Sequence, residues 1–194
     1  MALVAPVRVD PAVRWSFDDK ETSMADRRAV LIPGQGYDTR YPLFLYAGEA
    51  LRRAGFALHA VTWQVPDDLD LETAGRWVNE QVAPTLNDRT DLLVGKSLGT
   101  LAVELAADRG LAAVWLTPLL HRPDVVAALR RTRAPFVLVG GTADRTWDGA
   151  VARRLTPYVL EIPEADHALM VPGPLARSAA ALGEVCTAVE RFVG

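Results

Sequence analysis

Cysteine is almost missing from this chain: Cys186 is the only one in 194 residues. No disulfide can form within it, and a reducing compartment suits it. No apolar run approaches the roughly 20 residues that a membrane span needs. The opening stretch from Met1 to Pro6 is short and soon broken by Arg8 and Asp10, which does not make a signal peptide. A cytoplasmic protein is the simplest expectation. Neither sign of charge dominates, since 21 basic and 24 acidic residues leave a net charge of −3. Nothing there calls for nucleic acid or an anionic membrane as partner, and Arg130, Arg131 and Arg133 read as a solvated helix end. Histidine is scarce, with three in all. No His, Cys or carboxylate pair at ligand spacing is matched by a second pair, so neither metal nor other cofactor is expected. A phosphate-binding loop is excluded as well. Gly95-Lys96-Ser97 matches its tail, but Thr90 stands where that motif needs glycine.

What the chain does have is apolar content, 50% of its residues, enough for one well-packed domain. Strand-like apolar runs at 29–33, 56–63, 92–95, 111–116, 136–140 and 158–162 alternate with helical patterns. Near-continuous apolar runs are what parallel strands buried on both faces require. An α/β domain with one mostly parallel sheet and helices on both faces follows. Pro42 suits the first turn of a helix that Gly55 ends. A second helix is predicted over 71–86 with a kink at Pro84, a third from Leu98 to Gly110, and a short one from Pro123 to Arg130. The last shows Leu175, Ala179, Leu182, Cys186, Val189 and Val193 on one face. Residues 1–28 differ. Alternation at 7–10 and 13–17 suggests an antiparallel extension at a sheet edge, so the chain divides into an extension over 1–28 and a domain over 29–194.

The segment Asp91-Leu92-Leu93-Val94-Gly95-Lys96-Ser97-Leu98-Gly99-Thr100 is the most telling. A buried strand meets Gly-x-Ser-x-Gly, and a helical pattern follows at once, the context of a nucleophile elbow. The turn holds the serine in a strained conformation, where residues two before and two after crowd each other, so both are glycine. The hydroxyl of Ser97 is lifted clear of the sheet, and the backbone N–H of Leu98 is aimed at the same point.

A serine hydroxyl needs a base to take its proton, and the base needs an orienting carboxylate. His59 lies within a strand and His121 in the loop after 111–116. His167 directly follows the last strand, where open α/β sheets place their ligand crevice, and is the candidate base. Asp144 lies just past the preceding strand and is the candidate acid, ahead of Asp148 and Asp166. The order serine, acid, histidine is that of one hydrolase architecture and not of the other common ones. A second oxyanion donor belongs in the loop after the first central strand, where Pro33-Gly34-Gln35-Gly36 stands. The N–H of Gln35 is the choice, with Gly36 next.

The elbow, the Gly140-Gly141-Thr142-Ala143-Asp144 loop and the Ala165-Asp166-His167-Ala168-Leu169 loop together resemble the small α/β-hydrolases over nearly all of 29–194. The resemblance implies a single-domain α/β-hydrolase fold with Ser97, Asp144 and His167 as nucleophile, acid and base. It implies hydrolysis of a carboxylic ester through an acyl-enzyme. Thioesterase, lactonase or acyltransferase chemistry would use the same parts, and a binding protein without turnover is the other reading. Many members carry His-Gly before the oxyanion residue, where this chain has Pro33-Gly34. Where that family often inserts a cap, between Leu116 and Pro135, only a short helix fits, so no sizeable cap is expected. Tyr37, Trp63, Lys96, Leu119, His121 and Trp147 fall at strand ends or beyond, where they can line a pocket for a small ester or thioester. For the aromatics, packing competes with that role. For Lys96, an anionic substrate group competes with solvent.

Overall fold

The computed structural model describes residues 27–70 and 72–194. Six strands, β1 (Arg27–Ile32), β2 (Phe56–Ala60), β3 (Thr90–Lys96), β4 (Ala112–Leu116), β5 (Phe136–Gly141) and β6 (Val159–Ile162), form one sheet in the order β2-β1-β3-β4-β5-β6. Every pairing is parallel. The strands are joined through α1 (Pro42–Arg53), α2 (Ala74–Val82), α3 (Val103–Arg109), α4 (Pro123–Arg131) and α5 (Gly149–Leu155), and α6 (Leu175–Val193) follows β6.

Alternation along the strands builds two cores. Val30, Ile32, Leu93, Trp115 and Leu138 face one side with Val78, Val82, Ala106 and Leu129 from α2, α3 and α4. Leu31, Val94, Val114, Leu116 and Val139 face the other with Phe44, Ala47 and Leu51 of α1 and Val185 and Val189 of α6. Side chains of successive strand residues point to opposite faces, so an unbroken apolar run feeds both layers at once. The strand order reverses between β1 and β3, and the crevice beyond the carboxyl ends of such neighbours is where open α/β sheets place their sites.

Several boundaries differ from the sequence expectation for identifiable reasons. Arg27 and Arg28 belong to β1, paired with Phe56 and Ala57, rather than to an N-terminal extension; backbone pairing accepts a polar strand end. The strand-like stretches at 7–10 and 13–17 lie outside the described residues. The helix expected over 71–86 is α2 followed by a 3-10 turn at Ala83–Thr85, because Pro84 has no N–H to continue the α ladder. Helix α5 escaped the sequence reading, since only Ala152 of it is buried. From Leu116 to Phe136 the chain builds α4 and short loops alone, so the domain has no sizeable cap. Among the described residues no helix is long and apolar enough to cross a membrane.

Candidate active site

At the end of β3 the chain enters a 3-10 turn, Ser97–Ala102, with Ser97 at φ +51°. A positive φ is costly for a residue with a side chain and persists only where surroundings impose it. The neighbours impose it here. A Cβ on Gly95 would lie 2.7 Å from the Gly99 carbonyl oxygen and 2.7 Å from the Trp115 ring. That is the crowding expected across the serine. Gly99 is glycine for a further reason: its own Cβ would enter the backbone of Ile32 and Pro33 at the end of β1. The loop after β1 is equally close, and a Cβ on Gly34 would sit 3.4 Å from that of Ser97.

The structure brings Ser97, His167 and Asp144 into one relay. Nε2 of His167 lies 2.7 Å from Ser97 Oγ, and its Nδ1 lies 2.7 Å from Asp144 Oδ2. A carboxylate can only accept, so Nδ1 carries the proton and Nε2 is left to accept from the serine hydroxyl. The loops that carry acid and base are zipped together. Ala143 N–H donates to the Ala165 carbonyl and Thr142 N–H to that of Ile162, each at 3.0 Å. Asp148 and Asp166 serve elsewhere. Asp148 caps α5 by accepting from Val151 N–H at 2.8 Å. Asp166 folds the histidine loop by accepting from Ala168 N–H at 2.8 Å and Met170 N–H at 2.9 Å.

Asp144 is 6% exposed. Burial pushes its pKa up, but the hydrogen bonds from His167 and from Thr146 together prevail and hold it below the usual carboxylate value. Both Thr146 donors, N–H at 2.8 Å and hydroxyl at 2.9 Å, reach Oδ1 and leave Oδ2 to the histidine. Sequence reasoning missed Thr146. A hydroxyl residue two positions after an Asp is a common turn partner and was the available signal.

On the oxyanion side, Gly34 N–H is spent on the Tyr37 carbonyl at 3.0 Å. Gln35 is exposed, and its N–H donates to none of the described residues. Leu98 is 4% exposed and packs its side chain in the core, so what it offers the site is its backbone. Tyr37, Trp63, Gly34, Gln35 and Val65 help to line a cavity of about 410 Å³ beside this loop. Trp63 packs against Trp77 with ring centroids 5.1 Å apart and planes tilted by 50°, so packing and lining are combined in one residue.

The other expected lining residues are placed differently. Lys96 faces neither solvent nor an open cavity. It is 2% exposed, with Nζ 3.1 Å from Thr117 Oγ1 and 3.0 Å from the His167 carbonyl oxygen. The strand period turns it inward, away from the serine beside it. Trp147 lays its ring on Gly140 and donates its N–H to Glu161 at 2.7 Å, so it is held against β5 and β6. Leu119 is half-buried against the core and His121 is exposed; neither lines the cavity beside Gln35.

No family model matches the chain. A porphobilinogen deaminase from Paraburkholderia phytofirmans is 33% identical over 118 residues, 55% of this chain and 33% of that protein, so the chain spans about a third of that relative's length. Solved structures match over far more. Est1E from Butyrivibrio proteoclasticus, solved with ferulic acid bound, superposes with a TM-score of 0.65 at 16% identity, covering 86% of this chain and 87% of that one. An α/β serine hydrolase without lid from Xanthomonas campestris gives 0.56 at 17% identity over 90% and 85% of the two chains. An esterase domain from Rhodothermus marinus gives 0.56 at 17% identity over 90% of each. At such identities the likeness is one of fold, and the fold is that of the α/β-hydrolases, without a lid.

Proposed function

We propose that the protein is a serine hydrolase that cleaves carboxylic esters through an acyl-enzyme on Ser97. The observation that carries this reading is the unbroken 2.7 Å relay from Ser97 through His167 to Asp144, set on a serine at φ +51°. Packing alone gives no reason to hold a partly buried serine in that conformation against an oriented imidazole.

In the reaction, Ser97 Oγ attacks the acyl carbon while its proton passes to His167 Nε2. Asp144 fixes the tautomer and stabilises the imidazolium that forms. The N–H groups of Leu98 and Gln35 receive the oxyanion of the tetrahedral intermediate. His167 then protonates the leaving alkoxide, and a water activated by the same imidazole releases the acid. Gln35 is favoured over Gly34 as donor because the Gly34 N–H is already engaged. The cavity beside Gln35 is the acyl or alcohol subsite, with Tyr37 and Trp63 as its aromatic walls. A thioester or lactone would pass through the same steps, and an acyltransferase would replace the water by another acceptor.

Ser97→Ala tests the reading. It is expected to abolish hydrolysis of a simple aryl acetate, by about a thousandfold or more, with the thermal midpoint unchanged. Activity near that of the parent would remove Ser97 from the mechanism.

A further inference from the structure

Lys96 is a charged, buried side chain that the relay does not use. Its ammonium donates to Thr117 Oγ1 at 3.1 Å and to the His167 carbonyl oxygen at 3.0 Å, and lies 4.5 Å from the centre of the Tyr37 ring. Three contacts occupy the three donors of an ammonium. They belong to three separate segments. Thr117 directly follows β4 and is fully buried at φ +46°. His167 lies in the loop after β6, and Tyr37 in the loop after β1. Tyr37 is itself anchored, its hydroxyl accepting from Leu43 N–H at 3.2 Å and its carbonyl from Gly34 N–H at 3.0 Å. One side chain, on the residue next to Ser97, therefore ties the histidine loop and the oxyanion loop to the strand that carries the serine.

We propose that Lys96 is a positioning residue that fixes the His167 backbone and the oxyanion loop relative to Ser97. The proposal rests on the reading of Ser97 as nucleophile and His167 as base. Among the described residues Lys96 is the one donor to the His167 carbonyl. Asp166, by contrast, closes its loop only upon itself. The choice of residue supports a role beyond filling space, since a buried cation costs stability unless it is closely paired, and an apolar chain of the same length would fill the slot without that cost. No carboxylate lies within ion-pair distance of Nζ among the described residues. Burial lowers the Lys96 pKa to about 8 against the opposing pull of Asp144 and Asp166. The ammonium is thus kept where it weakens the fold and joins the loops of the relay.

The test uses the whole chain with K96M, T117V and the double variant. Three quantities are read: kcat and KM on an aryl acetate, the rate at which a fluorophosphonate labels Ser97, and the thermal midpoint. Displacing a catalytic group by about 1 Å costs on the order of a hundredfold. K96M is therefore expected to lower kcat and labelling by about 30- to 100-fold, with KM within about twofold and the midpoint not lowered. T117V removes one acceptor and is expected to lose less. The double variant is expected to be no worse than K96M, because both act through one set of contacts. A K96M enzyme with parental kcat and labelling would overturn the proposal. So would a loss accounted for by a fallen midpoint, or an additive double variant. Failure of the parent itself to label at Ser97 would instead overturn the reading on which the proposal rests.

Discussion

Replacing Asp144 by Asn changes one atom and should disable the relay while sparing the fold. Thr146 sends two hydrogen bonds to Oδ1, and His167 faces Oδ2. An Asn that keeps both Thr146 bonds must turn its NH₂ toward His167 Nδ1. That ring nitrogen then has to accept, so the proton moves to Nε2, which faces Ser97 and can no longer take the serine proton. Restoring the useful tautomer means flipping the amide, which sets its NH₂ against the Thr146 N–H and leaves that donor unsatisfied at about 1–3 kcal/mol, while the Thr146 hydroxyl turns to accept. Loss of the carboxylate that stabilises the imidazolium adds about 1.5–3 kcal/mol. The sum of about 2.5–6 kcal/mol corresponds to roughly 10²- to 10⁴-fold in rate. The assay is kcat/KM on an aryl acetate for Asp144→Asn beside Asp148→Asn. Asp148 caps α5 through Val151 N–H, a task Asn performs equally well, so that variant should keep both activity and thermal midpoint. An Asp144→Asn enzyme within about tenfold of the parent, or a larger loss in the Asp148 variant, would refute the reasoning.

Four further outcomes are expected. Asp144 titrates below the ordinary carboxylate value in the fold, so its stabilisation is full above the unfolded pKa and is lost as pH falls through the folded one. In thermal melts the parent should therefore lose stability faster than Asp144→Asn as pH is lowered past about 4. Lys96 titrates near 8 instead of 10.5, so its protonated form costs the fold about 3 kcal/mol below pH 8, and this cost disappears as pH rises toward the unfolded value. Melts of the parent against Lys96→Met should show the parent gaining ground between about pH 8 and 10. Gly99→Ala drives a methyl into the backbone of Ile32 and Pro33 and should cost about 1–3 kcal/mol with most of the activity, whereas Gly75→Ala, with open space around it in α2, should stabilise by about 0.5–1 kcal/mol; denaturant titration reads both. In an ester series, kcat/KM should level off after short acyl chains, because each further methylene gains about 0.8 kcal/mol only where walls bury it and no cap supplies them; a steady climb to palmitoyl would contradict this.

The β-strands and the three relay residues were legible in the sequence because each is announced locally. Apolar runs mark doubly buried strands, and the address of Asp144 and His167 just past β5 and β6 marks the crevice. Lys96 was not legible. Its neighbour Ser97 faces the site, and only the inward turn of the last strand residue, together with the approach of Thr117, His167 and Tyr37 from distant segments, shows that the ammonium is enclosed. Trp147 was misplaced for a similar reason: the Glu161 that accepts its indole N–H sits on another strand. Gly99 was read correctly as glycine on incomplete grounds, since the obstacle to its side chain includes the backbone of β1, which no local pattern displays. Helix α5 has too small a buried face to leave a periodic signal.

The most direct measurement of the central claim is covalent labelling by a fluorophosphonate, with the modified peptide identified by mass spectrometry. Stoichiometric modification at Ser97, blocked in Ser97→Ala and strongly slowed in His167→Ala, is the expected result. An unlabelled protein, or a label on any other residue at the same rate in both variants, would contradict the assignment of Ser97 as an activated nucleophile.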